Sequence, residues 1–87
     1  MGYKISFRRP AEKGLGDMPA RERNRLLDRI GELAADPFPP GSRKLKGHDG
    51  LHRVRVGNWR AIYREPDEDG IIDVLKIGHR RTVYRFH

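Results

Sequence analysis

The sequence predicts a small α+β domain in which two N-terminal helices pack on one face of an antiparallel sheet of about four strands. Three observations favour this fold class. An apolar–polar alternation opens the chain, apolar residues recur at helical spacing between residues 11 and 36, and three strand-like segments with short connections fill residues 51–77. The predicted order is β-α-α-β-β-β, and residues 1–87 form a single domain.

The first half of the chain supplies one strand and two helices. Residues 3–7 alternate apolar and polar side chains, as a half-buried strand does. Pro10 suits the first turn of a short helix, which Gly14 and Gly16 weaken by about 1 kcal/mol each relative to alanine. The second helix, within residues 20–36, is more strongly periodic, and it must stop before Asp36 because three prolines follow in four residues.

The dipeptide at residues 57 and 58 predicts a tight β-hairpin over residues 51–65, because glycine takes the positive-φ position of a type II′ turn. Counting outward from the turn pairs Val56 with Trp59, Arg55 with Arg60, Val54 with Ala61 and Arg53 with Ile62. The strand period puts Arg53, Arg55 and Arg60 on one face. Directly opposed arginines destabilise a sheet, so we expect an anion between them. The guanidinium fork matches phosphate, which is the predicted ligand.

A second polar cluster follows the last long strand, which is predicted over residues 71–77. The Gly-His-Arg-Arg sequence at residues 78–81 breaks that strand, and residues 82–87 close the chain in a short extended or irregular piece. If this strand neighbours the hairpin, the two clusters meet. The candidate site then consists of Arg53, Arg55, Arg60, His79, Arg80 and Tyr84.

Composition limits the classes of function. The net charge is +7, and residues 43–87 carry +5 of it from 11 basic and 6 acidic side chains, which favours nucleic acid or an acidic partner. The chain has no cysteine and no group of side chains with metal-ligand spacing, so the sequence predicts no metal and no cofactor. It shows no signal peptide or membrane-spanning run, which predicts a cytoplasmic protein without membrane contact.

The candidate residues suit one reaction particularly well. The chain offers no paired carboxylates, no phosphate-binding glycine loop and no Ser-His-Asp set, so cations, an imidazole and a phenol must perform any hydrolysis. Attack of an RNA 2′-hydroxyl on its own adjacent phosphodiester needs only alignment, proton transfer and stabilisation of a charged phosphorane. Such a reaction would exclude DNA as a substrate.

Three segments resemble a known family: Lys-Leu-Lys-Gly at 44–47, His-Arg-Val-Arg-Val-Gly-Asn-Trp-Arg-Ala-Ile-Tyr-Arg at 52–64, and Ile-Gly-His-Arg-Arg-Thr-Val-Tyr-Arg at 77–85. Together they are similar to RelE-type toxins of the RelE/ParE superfamily. The resemblance implies a metal-independent, ribosome-dependent endoribonuclease that cuts mRNA in the ribosomal A site. It also implies a tightly bound antitoxin that covers the active site, with operator DNA bound only through the toxin–antitoxin complex.

The resemblance also assigns roles by position. Arg60 and Arg80 match arginines that contact the scissile phosphate, and Tyr84 matches a tyrosine that orients the substrate. Arg53 and Arg55 stand where the best-studied branch of the family has lysines. We expect the neighbouring basic residues to bind RNA: Arg43, Lys44, Lys46, Arg81 and Arg85.

Several interpretations stay open. Arginine keeps its proton, so His79 is the candidate general base, with a strand-end histidine bonded to the backbone as the alternative. Tyr84 can instead be a core aromatic residue, and the paired arginines can contact an acidic antitoxin segment. For the whole protein, the alternatives are a ParE-like toxin that inhibits DNA gyrase by binding, or a small RNA- or ribosome-binding module.

Overall fold

The computed structural model describes residues 2–83, which form two helices and one five-stranded sheet. The elements in chain order are β1 (Lys4–Phe7), α1 (Arg9–Gly16), α2 (Ala20–Glu32), β2 (Arg43–Lys44), β3 (Leu51–Val56), β4 (Trp59–Arg64) and β5 (Ile71–His79). The predicted α+β class and the predicted order are confirmed, with β2 as an addition. None of the helices in residues 2–83 is long and apolar enough to cross a membrane.

The sheet differs from the predicted one in strand number and direction. Its order is β1-β5-β4-β3-β2, with β1 parallel to β5 and the other neighbours antiparallel, so the sheet is mixed and has five strands instead of about four. The extra strand, β2, is only two residues long and therefore has no detectable periodicity. The parallel pair joins the two ends of the described chain, a partnership that no local pattern specifies.

Two boundaries also differ. The second helix ends at Glu32, and residues 33–35 form turns, whereas the apolar spacing predicted a helix that ends just before residue 36. The last strand extends to His79, because Gly78 pairs with Arg60 and His79 with Trp59. The prediction that residues 78–81 break this strand was therefore wrong at its first two positions.

Glycine lets α1 lie directly on β5. A Cβ atom on Gly14 would overlap the backbone carbonyl of Ile77, while a Cβ on Gly16 would meet no atom within 4 Å. Gly14, which weakens the isolated helix, is thus needed for α1 to pack on β5. Both helices cover the same face of the sheet, here called the helix face, whose buried residues include Leu26, Ile30, Leu33, Val54, Val56, Ala61, Tyr63, Ile72, Val74 and Ile77.

The opposite face carries a small separate apolar cluster. Buried Leu51, Ile62 and Val83 form it, and partly buried Leu45 and Leu75 pack against it. Residues 80–83 turn back after β5, since the amides of Thr82 and Val83 both donate to the carbonyl of His79 at 2.9 Å. This return brings Val83, fully buried, over the sheet face that the helices leave uncovered.

Candidate functional site

The hairpin of β3 and β4 has the predicted turn and register. Gly57 has a φ of +59°, and Asn58 does not have a positive φ, as a type II′ turn requires. All four predicted pairs are present: Val56 with Trp59, Arg55 with Arg60, Val54 with Ala61 and Arg53 with Ile62. The register therefore fixes which hairpin side chains share a face.

The face away from the helices gathers basic side chains from four strands. Arg55 lies directly opposite Arg60, and Arg43 of β2 lies directly opposite Arg53, which makes two like-charged pairs side by side. Lys76 of β5 lies opposite Ile62 and so joins the same face from the other direction. We call this surface, made by Arg43, Arg53, Arg55, Arg60 and Lys76, the arginine face.

Two of these arginines are partly withdrawn from solvent. Arg53 and Arg60 are half-buried, with Nη1 of Arg53 and Nε of Arg60 inaccessible to water, whereas Arg55 is exposed. Burial lowers the local dielectric constant, so these guanidinium groups act more strongly on an anion than exposed ones do. The arrangement is therefore suited to a phosphate, or to the extra negative charge of a phosphorane.

The apolar cluster gives the arginine face a rigid floor. Ile62 lies between Arg53 and Lys76 in the sheet and is fully buried beneath Val83. Gly78, opposite Arg60, presents no side chain, and a Cβ there would be 3.6 Å from Val83. Val83 therefore limits the space above Gly78, next to Arg60.

Arg80 begins the turn that returns over this face. Its backbone amide donates to the carbonyl of Asn58 at 2.7 Å, and this hydrogen bond fixes Arg80 against the β3–β4 turn. Asn58 lies two residues before Arg60 in the sequence. The Arg80 side chain is exposed. The structure thus brings the backbone of Arg80 to the hairpin turn.

His79 lies on the other side of the sheet. It pairs with Trp59, and the two rings meet edge to face with centroids 5.8 Å apart, on the side where Trp59 packs against the core. The Arg81 amide donates to Nδ1 of His79 at 3.3 Å. The structure therefore does not bring His79 together with Arg53, Arg55 and Arg60, and it matches the alternative of a strand-end histidine bonded to the backbone.

The remaining predicted residues divide into exposed ones and ones outside the described chain. Arg43 and Lys44 are exposed on β2, and Lys46 and Arg81 are exposed in connections. The predictions for Tyr84 and Arg85 lie outside the described residues.

Sequence reasoning missed Lys76. The run at residues 71–77 was interpreted as a buried strand, so its one basic residue was not assigned to a face. A β-bulge between Ile62 and Tyr63 also shifts the register of β5, so that Tyr63 pairs with Val74 and Ile62 with Lys76. Alternation along the strand, counted back from the pairing of Gly78 with Arg60, is the signal that could have found Lys76.

A histidine and a tyrosine tie the proline-rich segment to the sheet. His52 is buried, with Nε2 3.0 Å from Oε2 of Glu65, and its ring stacks on Tyr63 at 5.6 Å between centroids. The Tyr63 hydroxyl donates to the carbonyl of Pro37 at 2.7 Å. Burial is the main cause that raises the pKa of Tyr63 above 10, so the phenol remains neutral. These residues face the helices and are structural.

Beside the arginine face, an open groove of about 420 Å³ lies between α2 and the hairpin turn. Its lining carries both signs of charge and consists of Arg25, Asp28, Arg29, Glu32, Arg55, Val56 and Gly57. Within residues 2–83, no three His, Asp or Glu side chains are grouped closely enough to hold a metal ion.

The chain is similar in sequence to toxins. The family model described as "ParE toxin of type II toxin-antitoxin system, parDE" matches residues 5–84. Putative toxin RelE1 of Methanocaldococcus jannaschii is 30% identical over 88 residues, covering 98% of each chain. Toxin RelG of Mycobacterium tuberculosis is 28% identical over 86 residues, covering 98% of this chain and 99% of RelG.

The fold is also that of solved toxin structures. The toxin of the archaeal RelE-RelB complex from Pyrococcus horikoshii OT3 superposes with a TM-score of 0.79 at 28% identity, covering 95% of this chain and 100% of that one. The M. tuberculosis toxin–antitoxin complex RelBE2 gives 0.76 at 25% identity, covering 92% and 100%.

Proposed function

Because the chain belongs to the ParE/RelE toxin family of type II toxin–antitoxin systems, we propose that it is a RelE-type toxin that cuts mRNA on the ribosome. The 2′-hydroxyl of the substrate attacks the adjacent phosphodiester, so the protein needs neither a metal ion nor a nucleophile of its own. Action on translating ribosomes would place the toxin in the cytoplasm.

The observation that carries this proposal is the direct opposition of Arg55 and Arg60, with half-buried Arg53 beside them. Like charges directly opposite each other across a pair of strands repel. An anion between them removes that repulsion, and a phosphorane removes more of it than the ground-state phosphate because it carries more charge. Such differential binding accelerates the chemical step.

The other predicted residues divide into two roles. Arg80 approaches the same phosphate from the turn after β5, and Tyr84 orients the substrate, as the family resemblance implies. The exposed basic residues of β2 and the connections bind the flanking RNA through its phosphates; they are Arg43, Lys44, Lys46, Arg81 and Arg85.

An antitoxin is the expected protein partner. The Pyrococcus horikoshii and Mycobacterium tuberculosis relatives are both found in complexes with an antitoxin. A chain of net charge +7 attracts an acidic segment of such a partner, and the arginine face is the surface that this segment would cover. Binding to operator DNA would then occur only through the antitoxin complex.

A second candidate function has one observation in its favour. The family model that matches residues 5–84 is named for ParE, so gyrase inhibition by a ParE-like toxin is the competing proposal. A toxin that acts only by binding does not need guanidinium groups opposed around a phosphate. The opposition of Arg55 and Arg60 therefore favours the nuclease.

The experiment adds purified protein to a translating extract and maps mRNA ends by primer extension. We expect new ends that require active ribosomes and that disappear with Arg60→Ala and with Arg80→Ala. Arg64→Ala is the matched control, because Arg64 is on the same strand and face as Arg60 but is exposed and opposite Leu51. Intact mRNA together with trapped DNA–gyrase complexes would replace the proposal with the ParE-like alternative.

A further inference from the structure

The open groove beside the arginine face lies between α2 and the hairpin turn. It has a volume of about 420 Å³, and Arg55 belongs both to its lining and to the arginine face. From the geometry we infer that this groove binds one nucleotide of the RNA next to the cut, and that Asp28 and Glu32 select the base of that nucleotide. The inference rests on the proposed function for its ligand, and it adds a determinant of sequence preference.

The edge of the sheet is open next to this groove. β2 begins at Arg43, which pairs with Arg53, while β3 runs on to Val56. In a hairpin with a two-residue turn the closing pair, here Val56 with Trp59, is hydrogen-bonded, and the next pair along the strands is not. The N–H and C=O groups of Arg55 therefore point away from β4, towards the groove, where they offer a donor and an acceptor to a base.

The facing wall of the groove is one side of α2. Arg25, Asp28, Arg29 and Glu32 recur at the three- and four-residue spacing that puts side chains on the same face of a helix. Opposite charges at this spacing can pair along a helix, yet within residues 2–83 none of these four side chains forms an ion pair. All four are exposed, so they are available to a ligand in the groove.

This combination of groups suits a nucleotide better than a simple anion. Guanidinium groups bind phosphate, and their planes stack on the bases of single-stranded RNA. Carboxylates repel phosphate but accept hydrogen bonds from the amino group of a base. We therefore expect the groove to favour a base with an exocyclic amino group. Uracil should be disfavoured, because it presents a carbonyl oxygen where cytosine has its amino group.

The position of the groove also favours a nucleotide over a peptide strand. The part of β3 beyond Arg53 covers residues 54–56, which is at the lower limit of about three residues for a paired strand. A single nucleotide needs only the backbone of Arg55 and the charged side chains of α2. Because Arg55 lies opposite Arg60, a nucleotide in the groove is next to a phosphate held on the arginine face.

The first test measures base preference in mRNA cleavage. Ribosome-bound mRNAs carry either cytosine or uracil at one nucleotide beside the mapped cut, and both flanking positions are tested in turn. At one of them we expect the wild-type toxin to cut the cytosine mRNA about 5- to 100-fold faster, which is the range of a specific base contact. In the double variant Asp28→Asn, Glu32→Gln this ratio should fall towards one, since a side-chain amide both donates and accepts hydrogen bonds.

The matched control is Glu22→Gln, which makes the same change in the same helix but outside the groove. This variant should keep the wild-type ratio of the two rates. A wild-type ratio of one at both positions would overturn the inference and leave mRNA cleavage intact. A preference that the double variant retains would do the same, because the ribosome and not the groove would then select the base.

The second test needs no ribosome. Cytidine 3′-monophosphate and uridine 3′-monophosphate are titrated into the free toxin, and amide NMR resonances report where each nucleotide binds. We expect cytidine 3′-monophosphate to move the resonances of Gly57 and residues 25–32 more than uridine 3′-monophosphate does. Equal shifts, or shifts confined to the arginine face, would overturn the inference. Selective binding in the groove alongside intact mRNA in the extract would contradict the proposed cleavage but support the nucleotide site.

Discussion

The two faces of the sheet differ in the side chains they carry and in how deeply these are buried. On the helix face, apolar side chains from both helices and four strands are buried together, and the one buried histidine is bonded to a carboxylate. On the arginine face, two like-charged pairs lie side by side above a cluster of three buried apolar residues. The helix face stabilises the fold, and under the proposed function the arginine face gives up stability to hold charge in position for a phosphate.

The largest expected effect is on cleavage, from the arginine face. Arg60→Ala should lower the cleavage rate by about 10²- to 10³-fold, because it removes a preorganised donor to the phosphorane. The free energy of unfolding should change by less than about 1 kcal/mol, since the loss of packing is offset by relief of the Arg55 repulsion. Single-turnover rates and urea denaturation measure the two quantities. A large loss of stability with little loss of rate would reverse the assignment of roles to the faces.

On the helix face, the largest effect should be on stability. Gly14→Ala should cost about 3 kcal/mol of unfolding free energy, because its Cβ would overlap the backbone of Ile77. Gly16→Ala in the same helix is the control, and it should be neutral or slightly stabilising, as a Cβ there meets nothing within 4 Å. Equal effects of the two substitutions in thermal melting would show that α1 does not lie this closely on β5.

A smaller effect comes from Tyr63 and depends on pH. Tyr63→Phe should cost about 1 kcal/mol at pH 7, since it removes the hydrogen bond to Pro37. Burial raises the pKa of Tyr63, so above pH 10 the unfolded chain loses this proton first and the folded state loses stability. The unfolding free energy of the wild type should therefore exceed that of Tyr63→Phe by a constant amount below pH 10, and this difference should shrink above pH 10. Urea denaturation at a series of pH values measures this, and an advantage that grows with pH would contradict the burial of the phenol.

The smallest expected effect is a gain in stability. Arg55→Glu turns a like-charged cross-strand pair into an opposite-charged one, which is worth about 0.2–1 kcal/mol. The same change should lower mRNA cleavage, because a carboxylate repels the phosphate. Thermal melting and primer extension on one preparation compare both effects. A drop in melting temperature along with activity would show that the opposed arginines carry no strain.

Sequence patterns predicted the parts of the fold that local physics determines. The turn at Gly57 and the alternation on both sides of it fixed the hairpin register, and with it the positions of Arg53, Arg55 and Arg60. The parallel pairing of the first and last strands was not predictable, because it depends on contacts between distant segments.

The site was predicted less completely than the hairpin, for reasons that concern β5. Glycine at position 78 suggested a strand end, but the strand continues, and its alternation carries His79 to the helix face. The bulge between Ile62 and Tyr63 changes the register by one residue, so that Tyr63 pairs with Val74 and the strand's alternation is interrupted at Leu75. Bulges leave no clear signal in one sequence, so the pairing of Tyr63 with Val74 was not predictable.

We propose that the arginine face supplies charge to a reaction whose nucleophile belongs to the RNA. The most direct measurement uses ribosome-bound mRNA with a single 2′-deoxynucleotide on the 5′ side of the mapped cut. We expect that cleavage at this position stops, while an identical mRNA with the deoxynucleotide one position upstream is cut at the normal rate. Cleavage at the normal rate without the 2′-hydroxyl would contradict it.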